Sequence, residues 1–140
     1  MDAILIPDDY DLVYIDTPYI NEKGVGVDYA DFYHFLNGLL DYDNWPALID
    51  YSSKHHRLKR SYNIWNDKDH IMEGFDRLIK QFSNSVLVFS YRSNGIPSID
   101  SLMKLLEQHG RHNRLRYSGE IKYALSETKS RETLIISFPQ

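Results

Sequence analysis

The stretch Asp11-Leu-Val-Tyr-Ile-Asp-Thr-Pro-Tyr-Ile20 decides the fold predicted for this chain. Its residues 12–15 are continuously apolar and rich in β-branched and aromatic side chains, which is typical of a strand buried on both faces of a parallel sheet. The strand is expected to end at Asp16, because Pro18 fixes its own φ, donates no hydrogen bond and keeps Thr17 out of the helical region. A carboxylate and an aromatic ring therefore follow the carboxyl end of a strand, where open α/β sheets usually bind ligands. An ordinary turn is the alternative, since Asp and Pro are common turn residues.

The composition predicts one globular domain over residues 1–140. Of the 140 residues, 42% are hydrophobic and 26% are charged, which is enough to bury a core. No apolar run approaches a membrane span and no signal-peptide pattern opens the chain, so we expect no membrane association. The absence of cysteine excludes disulfides and thiolate metal sites and agrees with a cytoplasmic location. With a net charge of −4, any contact with nucleic acid should be local or shared with a partner.

Apolar periodicity predicts three helices and three further strands after the first strand. The helices span about Asp28 to Leu40, Asp69 to Phe82 and Pro97 to Gly110, and the strands Ser85 to Phe89, about Arg114 to Leu125, and Thr133 to Phe138. We expect N-caps at Asp28 for the first helix and at Asn66 or Asp67 for the second. The apolar stripes of these two helices are expected in the core: Tyr29, Phe32, Tyr33, Leu36, Leu39 and Leu40 in the first, and Ile71, Met72, Phe75, Leu78, Ile79 and Phe82 in the second. A polar loop from about Ser126 to Glu132 should join the last two strands.

The basic cluster Lys54-His-His-Arg-Leu-Lys-Arg60 lies within the longest irregular segment, Asp41 to Lys68. Its candidate DNA-binding residues are Lys54, His55, His56, Arg57, Lys59 and Arg60. Because Tyr51, Tyr62 and Trp65 flank the cluster, it suits phosphate contact combined with base stacking. A solvated charged loop is the alternative. The two histidines are adjacent in sequence, which does not suit a shared metal site.

A second loop, Ser90-Tyr-Arg-Ser-Asn-Gly95, follows the predicted strand Ser85 to Phe89. Parallel strands end on the same edge of a sheet, so this loop should open on the same rim as Asp16. Arg92 in this loop is therefore a further candidate for DNA contact.

The segment Tyr14-Ile-Asp-Thr-Pro-Tyr19 resembles the Asp-Pro-Pro-Tyr signature of the adenine-N6 DNA methyltransferases, and more narrowly that of the deoxyadenosine methylase family. Two later stretches resemble the same family: Val86-Leu-Val-Phe-Ser-Tyr-Arg-Ser-Asn-Gly95 and Lys129-Ser-Arg-Glu-Thr-Leu-Ile-Ile136. Asp2-Ala3 resembles the segment that precedes the catalytic strand, where the acidic residue lies near the adenine of the cofactor. The resemblance covers most of the chain but only the carboxyl half of a complete enzyme, since the glycine-rich cofactor motif is absent.

For the fold, this resemblance implies an α/β chain that forms the second half of a Rossmann-like, S-adenosylmethionine-dependent methyltransferase sheet and ends in an antiparallel hairpin. The chain would begin in mid-domain, and the strand that carries Asp16 would lie in the middle of the complete sheet. Without its neighbour, this strand would leave an open edge, which proteins avoid. Either Ala3 to Ile6 folds over the edge, or a partner covers it: an amino-terminal methyltransferase half or a second copy of the chain.

For the chemistry, the resemblance implies methyl transfer from S-adenosylmethionine to the N6 amine of adenine in DNA, as in restriction-modification systems. The Asp16 side chain and the Thr17 carbonyl would accept hydrogen bonds from the amine. Pro18 would set their geometry, and Tyr19 would stack on the extruded base. Asp16 would also bind the cofactor, together with Asp2, and no metal is required. Thr17 stands where the family usually has a proline, but its implied role belongs to the backbone.

Two alternatives remain open from the sequence. The absent glycine-rich motif suggests a non-catalytic remnant or interaction module that binds DNA or a partner protein. Related enzymes with an Asn/Asp-Pro-Pro-Tyr motif use the same acceptor geometry on other amines, so the substrate could instead be an RNA base or a protein amide.

Overall fold

The structure is a computed structural model that describes residues 3–18, 20, 33–59, 62–121 and 130–140. These residues divide into two compact units, Met1–Gly26 with Ile64–Gln140, called here the sheet unit, and Val27–Asn63, called here the insert unit. The strands in chain order are β1 (Leu12–Asp16), β2 (Val86–Arg92), β3 (His112–Ile121) and β4 (Ser130–Phe138). The helices are α1 (His34–Leu40), α2 (Trp45–Leu48), α3 (Ile71–Gln81) and α4 (Ile99–Gln108), with 3-10 turns at Ala3–Leu5 and Ile64–Asn66. A single domain over the whole chain stays a prediction.

The four strands form one mixed sheet in the order β1-β2-β4-β3. β1 runs parallel to β2, with Asp16 opposite Ser90, and β4 runs antiparallel to both β2 and β3. The predicted α/β class and the antiparallel pair near the end of the chain are therefore confirmed. A mixed sheet of this kind is compatible with a methyltransferase-like fold. In the described part of the chain, β1 lies at one end of the sheet and pairs with β2 alone.

The core lies between one face of the sheet, its inner face, and the two helices α3 and α4. The strands contribute Ile15, Leu87, Phe89, Tyr91 and Ile135, and the helical segments contribute Ile71, Phe75, Leu78, Ile79, Phe82, Leu102, Leu105 and Leu106. This confirms the core prediction for the second helix, in which Met72 is half-buried. The Phe75 ring lies 5.4 Å from that of Trp65 and 6.1 Å from those of Phe89 and Tyr91, centroid to centroid. Burial of this many large side chains is the main stabilising term of the sheet unit.

The ends of α4 follow from its sequence. The Ser98 side chain caps the helix by accepting a hydrogen bond from the Ser101 amide at 3.1 Å. Gly110 follows the helix with a φ of 71°, the left-handed conformation that glycine adopts without a Cβ penalty. Both ends therefore lie where the sequence predicts them.

The N-terminus of α3 differs from the prediction. Its N-cap is His70, not Asn66 or Asp67, and no side chain caps it. The Asp67 carboxylate instead closes the preceding turn, where it accepts a hydrogen bond from the Asp69 amide at 3.0 Å and lies 2.8 Å from His70 Nδ1. That hydrogen bond raises the pKa of His70. The Asp67 carboxylate, which the sequence predicts as a helix cap, therefore stabilises the turn that precedes α3.

The prediction that the first strand is buried on both faces is wrong. Ile15 is buried, but Leu12 and Tyr14 are 56% and 58% exposed. Leu12 and Tyr14 are exposed because α3 and α4 both pack against the inner face of the sheet. No described helix of the sheet unit packs against the opposite face. We call that other face the outer face.

The strands β2 and β4 are longer than predicted. Ser90, Tyr91 and Arg92 belong to β2, although the sequence places them in a loop, because they pair with residues 132–134 of β4. For the same reason the polar segment predicted as a loop up to Glu132 is partly strand, since β4 begins at Ser130. Residues 122–129 lie outside the described part of the chain.

In the insert unit, the core prediction for the first helix is wrong. The side chains of Tyr33, Leu36, Leu39 and Leu40 are 47–88% exposed. The segment predicted as entirely irregular contains the short helix α2 and an isolated bridge between Ile49 and Leu58. The predicted cap Asp28 and the stripe residues Tyr29 and Phe32 lie outside the described residues.

Candidate functional site

The predicted catalytic segment lies where β1 ends. Asp16 is the last residue of β1 and its side chain is exposed. Thr17 is only 8% exposed, and its hydroxyl is buried without a hydrogen-bond partner among the described residues. Pro18 is half-buried, and Tyr19 lies outside the described residues. An exposed carboxylate is thus followed by a residue whose buried side chain anchors the turn.

The loops after β1 and β2 lie on the same rim of the sheet, as predicted. The amide of Ile96 donates a hydrogen bond to the carbonyl of Ile20 at 3.0 Å, and Ile20 is fully buried. The loop after β2 is also held to β4, because the Ser93 amide donates to the Arg131 carbonyl at 2.9 Å and the Ser93 hydroxyl accepts from the Arg131 amide at 3.1 Å. The rim beside Asp16 is therefore built from two loops that are hydrogen-bonded to the rest of the sheet unit.

A cavity of about 440 Å³ lies against β1 and reaches the predicted catalytic segment. Its lining is mostly apolar and comprises Ala3, Ile6, Tyr10, Leu12, Val13, Tyr14, Ile15, Asp16, Thr17, Pro18, Trp65, Leu78 and Phe82. Residues from both faces of β1 line it, which is possible because no described strand covers the far edge of β1. Cavities of roughly 300–1,000 Å³ hold small organic ligands. The cavity therefore has room for a small organic molecule beside the Asp16 carboxylate.

The first residues of the chain line this cavity and do not add a strand to β1. Ala3–Leu5 is a 3-10 helix, and Ala3 and Ile6 pack against the core. The Gln81 side chain donates a hydrogen bond to the Ile6 carbonyl, which fixes the segment to α3. Asp2, the second predicted cofactor residue, lies outside the described residues. Sequence periodicity marked Leu78 and Phe82 only as core residues, so their part in the cavity wall was missed.

The basic cluster belongs to the insert unit, where it forms a hairpin-like loop. The Asp50 amide donates to the Arg57 carbonyl at 2.7 Å, and the Lys59 amide donates to the Leu48 carbonyl at 2.8 Å. At the tip of the loop, Lys54, His55 and His56 are exposed. This closure was not predictable from the sequence, because its hydrogen bonds join backbone groups that are seven and eleven residues apart.

The remaining members of the basic cluster differ in exposure and contacts. Arg57 is half-buried, and the Lys59 ammonium donates a hydrogen bond to the Ala47 carbonyl at 2.9 Å. Arg60 lies outside the described residues. The hydrogen bond from the Ser52 hydroxyl lowers the pKa of Asp50, with a smaller contribution from Arg57, so a negative charge stays at the base of the loop at neutral pH. Lys54 is the exposed cation at the tip, and the charges of Arg57 and Lys59 lie on the part of the loop that follows it.

Aromatic rings accompany the basic loop. The rings of Tyr51 and His56 lie 5.7 Å apart at an angle of 60°, and Tyr51 and Tyr62 are 63% and 73% exposed. Exposed rings beside exposed cations are the arrangement that stacking on nucleic-acid bases requires. Arg92 belongs instead to the sheet unit, where it ends β2, is half-buried and stands opposite Glu132.

Two features are absent from the described residues. No described helix is both long and apolar enough to span a bilayer. No group of three histidine, aspartate or glutamate residues in the described part of the chain could hold a metal ion.

Comparison with known proteins supports a methyltransferase-like relationship. The chain is similar to the modification methylase LlaI of Lactococcus lactis subsp. lactis, with 30% identity over 95 residues. The aligned region is 68% of this chain and 14% of the methylase, so the chain spans only a small part of that relative. No protein-family profile matches the chain. No solved structure matches it either.

Proposed function

We propose that the chain is the catalytic half of an adenine-specific DNA methyltransferase, which transfers a methyl group from S-adenosylmethionine to the N6 amine of adenine. One observation carries the proposal: the exposed Asp16 carboxylate ends a parallel strand beside a cavity of about 440 Å³. The similarity to a modification methylase supports methyl transfer. The choice of adenine N6 comes from the resemblance of residues 16–19 to the Asp-Pro-Pro-Tyr signature. A cytoplasmic location, consistent with the cysteine-free composition, is part of the proposal.

The proposed chemistry needs two hydrogen-bond acceptors. The lone pair of the adenine amine is delocalised into the ring, so the nitrogen attacks only when acceptors draw it toward tetrahedral geometry. The Asp16 carboxylate would accept one N–H and the Thr17 carbonyl the other. As the new C–N bond formed, the methyl–sulfur bond of the donor would break and release a neutral thioether. The nitrogen would become positively charged and then lose one proton, which the Asp16 carboxylate could accept and pass to water. The buried Thr17 side chain holds its own backbone in place for this task.

The residues present fit part of a binding site for the methyl donor. An apolar cavity with one carboxylate at its end suits a flat heterocycle and a charged polar group. S-adenosylmethionine supplies an electrophilic methyl group on a sulfonium centre. Asp16 and the cavity wall formed by Trp65 and Phe82 would contact the bound donor. Asp2 stays a predicted contact, and a glycine-rich motif would have to come from another polypeptide segment.

The proposed DNA contacts are the tip of the basic loop and Arg92. The exposed Lys54, His55 and His56 side chains would lie against phosphates, while Tyr51 would stack on an exposed base or sugar. We assign the same role to Arg57, Lys59 and Arg60. Because the chain has a net charge of −4, this local contact would be only a part of the complete DNA interface.

The open edge of β1 is the basis for the proposed partner. Within the described residues β1 pairs only with β2, so the backbone on its other side offers hydrogen-bonding groups to a further strand. An amino-terminal methyltransferase half would supply that strand and the missing glycine-rich motif together. The strand would fill the part of the cavity that runs along residues 12–14 of β1 and leave the part beside Asp16 and Pro18 for the ligand. A second copy of the chain would supply only the strand.

The proposal is tested by reconstituting methyl transfer. The chain is mixed with a form of the Lactococcus methylase that lacks the aligned region, and transfer of labelled methyl groups from S-adenosylmethionine to duplex DNA is measured. We expect transfer that requires both polypeptides and yields N6-methyladenine. Asp16→Ala should reduce the rate by about 100-fold or more. Asp9→Ala, which changes an exposed aspartate of the same unit, is the matched control and should change the rate less than twofold. Transfer that survives Asp16→Ala would defeat the assignment.

A non-catalytic binding module is the second candidate, favoured by the missing glycine-rich motif and by the small share of the methylase that the chain spans. Calorimetry separates the two: micromolar binding of S-adenosylmethionine by the lone chain would exclude the binding module. Offering RNA and protein alongside DNA in the transfer assay identifies the substrate class.

A further inference from the structure

The basic loop of the insert unit is held in one shape by its own hydrogen bonds. Besides the two backbone bonds between its arms, Ile49 and Leu58 form an isolated bridge. The Ser53 hydroxyl donates to the Asp50 carbonyl at 2.8 Å and accepts from the Arg57 amide at 3.0 Å. A loop that is ordered before it meets a ligand loses little conformational entropy on binding. Its side chains are therefore suited to selecting among ligands.

The tip of the basic loop is a four-residue turn. The His56 amide donates to the Ser53 carbonyl at 3.1 Å, which makes Lys54 and His55 the two central residues of the turn. His56 has a φ of 47°, the left-handed conformation that residues with a Cβ adopt uncommonly. Residues held in such conformations cluster at binding and catalytic sites. The backbone conformation thus distinguishes His56 from the other exposed residues of the tip.

The His56 side chain also has a neighbour that orients it. The rings of Tyr51 and His56 lie 5.7 Å apart, centroid to centroid, at an angle of 60°. Contact with a second ring restricts the rotation of the imidazole, whose two nitrogens then offer hydrogen bonds in defined directions. Among the described residues, the His55 ring has no such contact. Of the two adjacent histidines, His56 is therefore the one prepared for a directional contact.

We propose that the basic loop enters the major groove of duplex DNA, where His56 reads a purine by donating a hydrogen bond to N7. This inference rests on the proposed function and narrows the role of His56 from a phosphate contact to a base contact, while Lys54 and His55 stay at the phosphates. The major groove is about 12 Å wide and admits a two-stranded ribbon, and both purines present N7 there as an acceptor. A-form RNA is disfavoured, because side chains cannot read its narrow major groove.

The test removes the acceptor from the DNA. Selection from a pool of randomised duplexes at low salt first identifies the sequence that the full-length chain binds best. Each purine of that sequence is then replaced by its 7-deaza analogue, which lacks N7 and keeps the base pair. We expect one replacement to weaken binding about fivefold or more and the other replacements to weaken it less than about twofold.

Variants of the chain assign that effect to one residue. His56→Gly removes the imidazole, and glycine adopts the left-handed conformation without a Cβ penalty, so the loop should keep its shape. This variant should bind the natural and the 7-deaza duplex within about twofold of each other. His56→Asn should restore part of the difference, because asparagine tolerates the left-handed conformation and can donate to N7. His55→Ala is the matched control: it should weaken binding to all duplexes alike and keep the full difference.

Several outcomes would overturn this inference. They are the absence of binding to any duplex, binding without base preference, and a 7-deaza effect that survives His56→Gly. Tighter binding of RNA than of duplex DNA would overturn it as well. The reconstituted transfer assay separates it from the proposed function. A His56-dependent 7-deaza effect in a chain that supports no methyl transfer would contradict the proposed function alone, and Asp16-dependent transfer without any 7-deaza effect would contradict this inference alone.

Discussion

The amide of Ile96 donates a hydrogen bond to the carbonyl of Ile20 at 3.0 Å, and this pair joins the loop after β1 to the loop after β2. Ile20 is fully buried, so packing as well as the hydrogen bond holds the two loops together. Asp16 stands four residues before this joint. The described part of the predicted catalytic segment, residues 16–18, therefore lies between the end of β1 and the buried Ile20.

Truncating Ile20 should loosen this joint and destabilise the sheet unit. Ile20→Ala is expected to lower the free energy of unfolding by about 3 kcal/mol, because it removes three buried carbon atoms and leaves a cavity. Urea denaturation measures the loss. Leu40→Ala removes a leucine that is 88% exposed and should cost less than about 0.5 kcal/mol. Equal losses in the two variants would show that Ile20 is not a packing residue.

Gly95 lies against the Tyr91 ring, and a side chain there should be costly. A Cβ at Gly95 would lie 2.9 Å from the nearest ring carbon, which is closer than packed atoms allow. We expect Gly95→Ala to cost about 1–3 kcal/mol by overpacking. Gly119→Ala is the matched control, since a Cβ there meets no atom within 4 Å. Tyr91→Leu should reduce the penalty of Gly95→Ala, and a penalty that it leaves unchanged would point to the backbone instead.

Arg111 should be the most sensitive charged residue of the sheet unit. It is buried, and its guanidinium donates to the Ser137 hydroxyl at 2.8 Å and to the carbonyls of Ser83, Ser85 and Ser137 at 2.8, 2.5 and 3.0 Å. Burial lowers the pKa of Arg111. Arg111→Met should cost about 3–5 kcal/mol, because it leaves these buried acceptors without donors.

Two variants separate the shape of Arg111 from its charge. Arg111→Lys keeps the charge but not the forked donors, so it should restore less than half of the lost stability. Arg77→Met, at a position 57% exposed, should be nearly neutral in the same urea titration. Full rescue by lysine would mean that charge alone is required.

Asp76 should make stability depend on pH in the acid range. Hydrogen bonds from Lys80 at 2.6 Å and then from His109 at 2.8 Å lower the pKa of Asp76 below its ordinary value of 3.8. A lowered carboxylate pKa contributes stability that is complete above 3.8 and is lost as the pH falls through the folded-state value. Asp76→Asn should therefore cost about 1 kcal/mol at pH 7 and almost nothing once the wild-type carboxylate is protonated.

The control for Asp76 is Glu73→Gln. The Glu73 carboxylate lies 3.9 Å from Arg77 in an exposed pair, so its loss should change stability by less than about 0.5 kcal/mol at any pH. Thermal melting of both variants between pH 7 and about pH 2 makes the comparison, since the loss lies below pH 3.8. A cost of Asp76→Asn that persists in acid would contradict the electrostatic account.

A substitution at Thr17 distinguishes the role of its side-chain hydroxyl from the role of its backbone carbonyl. Its hydroxyl is buried without a hydrogen-bond partner among the described residues, so Thr17→Val should stabilise the chain by about 0.5–1 kcal/mol. Under the proposed function the Thr17 carbonyl binds the amine, so methyl transfer should change less than threefold. A loss of activity comparable to that of Asp16→Ala would assign the hydroxyl a role in the reaction.

The parts of the fold that follow from local chemistry were predictable from the sequence. The stripe from Ile71 to Phe82 and the ends of α4 at Ser98 and Gly110 depend on neighbouring residues only. The shared rim was predictable too, because strand direction alone brings the two loops together. The strand pairs of the antiparallel hairpin also follow from apolar runs of ordinary length.

The errors occur where a second chain segment decides the outcome. Leu12 and Tyr14 have the composition of buried strand residues, and their exposure follows from which face the helices cover. The same holds for Leu39 and Leu40, whose helical spacing predicts a core that the described residues do not provide. The spacing of apolar residues predicts which side of a helix or strand is suited to burial. It does not predict whether another segment of the same chain packs against that side.

The placement of both long helices on one side of the sheet has a consequence for biosynthesis. Because one hydrophobic layer closes with residues of this chain alone, the polypeptide can fold as soon as it leaves the ribosome. In the described residues the far edge of β1 is unpaired and the outer face of the sheet is partly exposed, and such surfaces would then invite polymerisation or capture by chaperones. We expect the steady-state abundance of the protein to follow the supply of whatever polypeptide shields those surfaces.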